Sequence, residues 1–355
     1  MNGNFYNFDH IVIETPGERE QKKRRQRSLF SRVFFALFLY VLISQGLQIA
    51  VYLTMQTVLD PAQYLEFQNN TVWALLIGCA AQYLIAFPIF LLALIGTKKA
   101  EAKEKSKLSL RSFVLLFCIG QVLMYAGNAI GTFINELVGT FTGHLPENEV
   151  ESLITDTPLW IVIPVVVIIA PIVEEIICRK LVIDRLSVYG DHVAIIFSSV
   201  AFGLLHGNLY QFFYAAFLGA VLGYVYTKTR NVKYSVFMHM IVNFMGSVVA
   251  LPVQDAMTEM AEILEIMQTG EAINLLKLLA NTLIVLLYSG LQYGIIIGGI
   301  VAAVHCIKNR EIKISTDKEV YLPNKDIAVC GTLNVGAILF LVATLTIVVL
   351  NLILV

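Results

Sequence analysis

Two glutamates and an arginine, Glu174, Glu175 and Arg179, stand at the end of an uninterrupted apolar run that begins near Leu159. A charged side chain inside a membrane span costs roughly 2.5 to 3.5 kcal/mol on insertion scales, so it marks a function or a partner. Glu175 and Arg179 are four residues apart with the acid on the N-terminal side, the better orientation for an intrahelical pair. They can neutralise each other. Glu174 lies about 100° around the same helix and is left to face water, a metal or a second polar helix. Later apolar runs supply Phe202 with His206, and His239 with Asn243, each pair one turn apart and so on one helix face. A carboxylate and an imidazole sharing a cavity can take a proton from water for attack on a carbonyl. A second imidazole and a carboxamide can donate hydrogen bonds to the oxyanion that forms. That chemistry is amide hydrolysis without a covalent intermediate.

Each residue alone has a plainer explanation. Glu174, Glu175 and Arg179 could mark a helix end at the headgroups, with Lys180 and Arg185 close behind. His206 and Asn243 could hydrogen-bond neighbouring helices, and Gly219 with Gly223 reads as a close-packing pair. Depth changes the weighing. If Leu186, His192 and Asn231 mark helix ends, a rise of 1.5 Å per residue puts Glu174 about 18 Å in, His206 about 21 Å, His239 about 12 Å and Asn243 about 18 Å. Matched depth on three helices describes one water-filled site, expected to open on the cytoplasmic side.

The elements that must hold these residues are membrane spans. The chain is 57% hydrophobic and 14% charged, against about 25% charged in a soluble domain. A net charge of -1 gives no bulk attraction to nucleic acid. Five cysteines without metal-site spacing imply no disulfide framework. Apolar runs near 33–55, 72–96, 112–137, 158 onward, 192–227 (a tight pair), 234–252, 281–304 and 329–353 predict about eight to nine spans in an all-α polytopic bundle. The loops alternate in charge. Basic residues gather from Lys98 to Arg111, at Lys180 and Arg185, and from Lys228 to Lys233; acidic loops hold Asp60 and Glu66, then Glu147, Glu149, Glu151 and Asp156, then Asp255 to Glu271. The basic rim places the N-terminus in the cytoplasm of a multi-pass cell-membrane protein. Met257, Met260, Ile263, Leu264 and Met267 recur at helical spacing, which predicts an amphipathic helix at the outer interface. The divisions are a basic tail over 1–32, three leading spans over 33–156, a core over 157–252, and a C-terminal part over 253–355.

The set EExxxR (Glu174, Glu175, Arg179), FxxxH (Phe202, His206) and HxxxN (His239, Asn243), in this order on separate spans, resembles the CPBP (Abi) family of intramembrane proteases, which includes the type II CAAX prenyl endopeptidases. The resemblance covers about residues 157–250. It implies that Glu174 and His206 position and activate the attacking water. Glu175 and Arg179 would support the site, and His239 with Asn243 would form the oxyanion hole. It also implies a membrane-associated or lipidated peptide substrate.

Metal dependence stays open at this stage, because Glu174, His206 and His239 could supply a two-histidine, one-carboxylate zinc site. There is no HExxH on any span, no aspartate pair inside the spans, and no convincing serine–histidine pairing, although Ser198 and Ser199 lie nearby. The rival class is a non-proteolytic membrane protein, a transporter or an immunity or assembly factor, using the same polar slab. Against a transporter stands the lack of a visible repeat between halves.

Overall fold

A computed structural model of the chain describes residues 15–143, 145, 148–269 and 274–354. The first fourteen residues of the basic tail, and Glu147 and Glu271 of the acidic loops, lie outside them. Among the described residues there is no strand, and eight helices are long and apolar enough to cross a membrane. These are α1 (Pro16–Val58), α3 (Thr71–Ala93), α4 (Leu110–Thr142), α6 (Leu159–Tyr189), α8 (Leu209–Thr229), α9 (Val232–Met267), α10 (Leu275–Lys308) and α12 (Val335–Leu354). Between them lie α2 (Pro61–Gln68), α5 (Glu149–Thr155), α7 (Asp191–Leu205) and α11 (Asn324–Thr332). The chain is a multi-pass integral membrane protein.

Two expectations change in detail. The basic segment after residue 15 is no separate tail: a capping box of Thr15 and Glu18, with Pro16 in the first turn, starts a helix that runs unbroken to Val58. At 43 residues it measures about 65 Å, twice the hydrocarbon thickness, so its first turns project beyond the bilayer. There Arg19 and Lys23 reach Asp326 on α11 at 2.7 and 3.4 Å. The methionine-rich segment is likewise no independent element, since it continues α9 through a π-helical turn at Met245–Val249. Val253, Ala256 and Ile263 form its buried side, while Met257, Leu264 and Met267 stay exposed.

The shortest apolar helix matters most. α7 has 15 residues, about 22 Å, too short to cross the hydrocarbon. It ends at His206 in an elbow where Gly207 adopts φ +71°, and Asn208 caps α8 by accepting from the Gln211 N–H at 2.8 Å. Irregular backbone at membrane depth requires internal partners. Asn208 Nδ2 donates to the His206 carbonyl at 3.1 Å, and Asn351 Nδ2, from α12, donates to the Gly207 carbonyl at 3.2 Å.

Small residues let the helices that carry the site approach closely. A Cβ on Gly219 would lie 3.2 Å from both Ser199 Cα and Phe202 Cδ1, and Gly223 faces Ile183 and Ile195, so the expected packing pair is present. Gly127 brings α4 against the backbone of α8, with its virtual Cβ 2.6 Å from Tyr214 Cα. At the basic end, Asp191 joins Arg230 at 2.5 Å and Lys103 at 3.2 Å, and Tyr226 donates to Asp184 at 2.5 Å. An aromatic cluster below, with Phe30 against Phe197 at 4.9 Å and Tyr189 at 5.6 Å, ties α1 to α6 and α7. Gly127→Ala should therefore destabilise the protein by about 1–3 kcal/mol, seen as a lower Tm in detergent. Gly46→Ala, with nothing within 4 Å, should leave Tm unchanged or raise it.

Candidate active site

α6 carries the acids on a helix whose ladder is opened twice. π-helical stretches at Ile163–Ile169 and Ile176–Ile183 flank the short α-helical turn Ala170–Glu175. Pro164 and Pro171 lack the N–H that a regular ladder needs. The Ala170 N–H goes to the Val165 carbonyl, and Pro171 cannot supply the next bond, so the Val166 carbonyl is left over. Asn243 Nδ2, from α9, donates to it at 2.9 Å. One N–H of Asn243 is therefore packing glue, and the other remains for chemistry.

Glu175 and Arg179 are both completely buried. Arg179 Nε and Nη2 donate to the two carboxylate oxygens of Glu175 at 3.0 Å each, a bidentate fork. Its Nη1 donates to Ser198 Oγ at 3.3 Å, and Ser198 in turn donates to the Cys178 carbonyl at 2.9 Å. The guanidinium also lies over the Phe202 ring, 4.9 Å from its centroid. The expected intrahelical pair exists, and it is anchored to α7 on both counts.

Phe202 organises the imidazoles. His206 and His239 both stand edge-on to it, at 4.9 and 5.6 Å between centroids. His206 Nδ1 lies 2.8 Å from the Phe202 carbonyl. A carbonyl only accepts, so Nδ1 carries the proton and Nε2 keeps its lone pair for the cavity. His239 sits between the two acids: Nδ1 is 3.3 Å from Glu175 Oε1, near but without hydrogen-bond alignment, and Nε2 is 3.7 Å from Glu174 Oε2. Glu174 is the acid with open access, its side chain 27% exposed.

Glu174, Phe202, His206, His239 and Asn243 all line one cavity of about 710 Å³, within the usual range for ligand sites. Glu175 and Arg179 stand behind it. No direct hydrogen bond or ion pair joins Glu174 to His206, and both line the same cavity. The cavity does not reach toward the basic rim as the sequence led us to expect. Its lining extends to Leu153 and Ile154 of α5 and to Asn351 near the end of α12, all at the acidic end, and includes neither Asp184 nor Asp191 of the basic-end networks. Sequence reasoning missed Asn351 and the polar lining from the leading spans, including Gln48, Gln82 and Gln121. Polar residues inside apolar runs were the available signal.

Glu174, His206 and His239 do not converge as metal donors. Among the described residues no three His, Cys, Asp or Glu form a group that could hold a metal ion. His239 turns one nitrogen to each acid, and His206 commits Nδ1 to backbone.

The buried pair generates a stability prediction. Arg179→Met strands the Glu175 charge and should cost about 3–5 kcal/mol, whereas Glu175→Leu with Arg179→Met should recover much of that loss. Tm values for the two single variants and the double variant check this; additive losses would contradict it.

Residues 156–245 match the family model described as type II CAAX prenyl endopeptidase, Rce1-like. Over 93 residues the chain is 30% identical to the Bacillus subtilis (strain 168) protein named "Putative membrane peptidase YdiL", a match covering 26% of this chain and 37% of that protein. The match thus spans well under half of the relative's length. No solved structure matches. All seven motif residues fall inside 156–245, and it is over this segment that the chain is similar to the Rce1-like type II CAAX prenyl endopeptidases.

Proposed function

We propose that this protein is an intramembrane endopeptidase of the CPBP (Abi) type, hydrolysing a peptide bond of a membrane-associated or lipidated substrate with water activated by Glu174 and His206. The carrying observation is the asymmetry between the two acids. Arg179 spends its fork on Glu175, while Glu174 lines the cavity together with His206, whose Nδ1 is turned to the Phe202 carbonyl.

In this reading a water sits between Glu174 and His206 Nε2. Glu174 takes its proton as the oxygen bonds to the scissile carbonyl carbon, and His206 orients it by accepting its second hydrogen. The oxyanion is met by the uncommitted N–H of Asn243 and by His239 Nε2, which at 3.7 Å is too far from Glu174 to be held in a hydrogen bond. The C–N bond then breaks, and Glu174 returns the proton to the leaving amine. Glu175, with Oε1 3.3 Å from His239 Nδ1, acts on the imidazole by its proximity from the far side and is a positioning residue. No step in this reading is routed through a metal. The basic rim supports a cytoplasmic N-terminus in the cell membrane.

Purified protein, stripped of metal and reconstituted in liposomes, should cleave a susceptible membrane-anchored peptide. Glu174→Ala and His206→Ala should each lower kcat by at least about 10²-fold while the fold, read by Tm, is kept. Asn243→Ala should lower kcat by about 10²-fold, with some loss of stability because the Val166 carbonyl loses its donor. Cleavage by Glu174→Ala at the wild-type rate would remove the proposed base, and activity that returns only on adding zinc would make the mechanism metal-dependent.

A further inference from the structure

Much of the cavity lining comes from spans outside the family segment, and carboxamides recur among its apolar and tyrosine side chains. Gln45 and Gln48 from α1, Gln82 from α3, Gln121 and Asn128 from α4 and Gln292 from α10 all line it. Each carboxamide offers both a donor and an acceptor, the complement of a peptide backbone. Gln292 is 8% exposed and its Oε1 has no partner, an unmet acceptor in the wall of the cavity.

Cations are missing from the same wall. Every Lys and Arg of the sequence falls within the described residues, and none of them lines the cavity. Arg179 alone stands nearby, with its donors given to Glu175 and Ser198. Charge on the cavity side is negative: Glu174 lies inside, and Glu151 lines a smaller cavity that shares Asn128, Ile154 and Gln211 with it. A substrate cut three residues from a free C-terminus would carry its carboxylate roughly 10 Å past the scissile bond, still within this wall. An unpaired carboxylate buried there meets the carboxyl of Glu174 and finds no Lys or Arg to pair with.

Resting on the peptidase reading above, we infer that this cavity takes an uncharged, extended stretch of polypeptide through its amide wall and cuts it away from the substrate's carboxyl terminus, rather than releasing a C-terminal tripeptide. The amide wall binds backbone; the lack of cations excludes the chain end.

The probe is one N-palmitoylated, fluorescent peptide of Ala, Val, Ser and Gln in three forms: ending as a free acid three residues past a single cleavable bond, ending there as an amide, or extended by six Gly and Ser residues. Cleavage and binding are measured on the full-length protein in nanodiscs. The amide and the extended form should be cleaved at least about tenfold faster than the free acid, and should bind at least about tenfold more tightly. Gln121→Leu combined with Gln292→Leu should weaken binding of the extended peptide about tenfold. A free acid cleaved or bound as well as the other two overturns the inference. If nothing is cleaved but the extended form binds preferentially in a Gln121- and Gln292-dependent way, the substrate class stands and the peptidase reading falls.

Discussion

A bidentate ion pair with no access to water is the constraint on which this bundle depends. Glu175 and Arg179 are taken wholly out of solvent, and that desolvation is tolerable only because each charge meets the other in fork geometry with further partners around it. Those partners come from elsewhere: Ser198 and Phe202 from α7, His239 from α9. The pair therefore acts as a three-helix clasp, and it holds the elements that present His206 and Asn243 to Glu174. Arg179 gives its hydrogen bonds to Glu175 and Ser198, and the second acid, Glu174, is the one that lines the cavity.

Departures from regular helix do the remaining positioning. The π-helical stretches of α6 leave one carbonyl without a donor, and Asn243 is drawn to it. The elbow after α7 ends a helix in mid-bundle, so that His206 stands at a terminus with Nδ1 turned back to Phe202. Backbone irregularity at this depth survives only where side chains repair it. The repairs come from Asn208 and from Asn351, more than a hundred residues downstream. The spans flanking the family segment thus brace the site as well as wall its cavity.

Much of this was legible in the chain. The class of solvent followed from composition, and the spans from run length, with α7 the exception: expected as the first of a tight pair of spans over 192–227, it stops after 15 residues, ahead of the turn at His206-Gly207-Asn208. Gly207 was the visible hint, since φ +71° suits glycine. Depth matching brought Glu174, His206, His239 and Asn243 to one cavity, as rise per residue is nearly invariant along a helix. What it could not supply was the rotation of each helix about its axis or the end toward which the cavity extends, which is the acidic end here.

The sequence by itself determined a membrane-embedded helix bundle, the self-neutralising pair of Glu175 and Arg179, and the four polar side chains sharing one depth, because hydrophobic run length and the i, i+4 spacing are local properties. Only the tertiary structure decided how those side chains are used. It set His239 between two carboxylates, gave one amide hydrogen of Asn243 to a stranded carbonyl, kept three candidate donors from meeting as a metal site, and walled the cavity with amides from distant spans. Those outcomes depend on which helix faces which, and that is settled by close packing at residues such as Gly127 and Gly219 and by the need to pair every polar group buried in the bilayer.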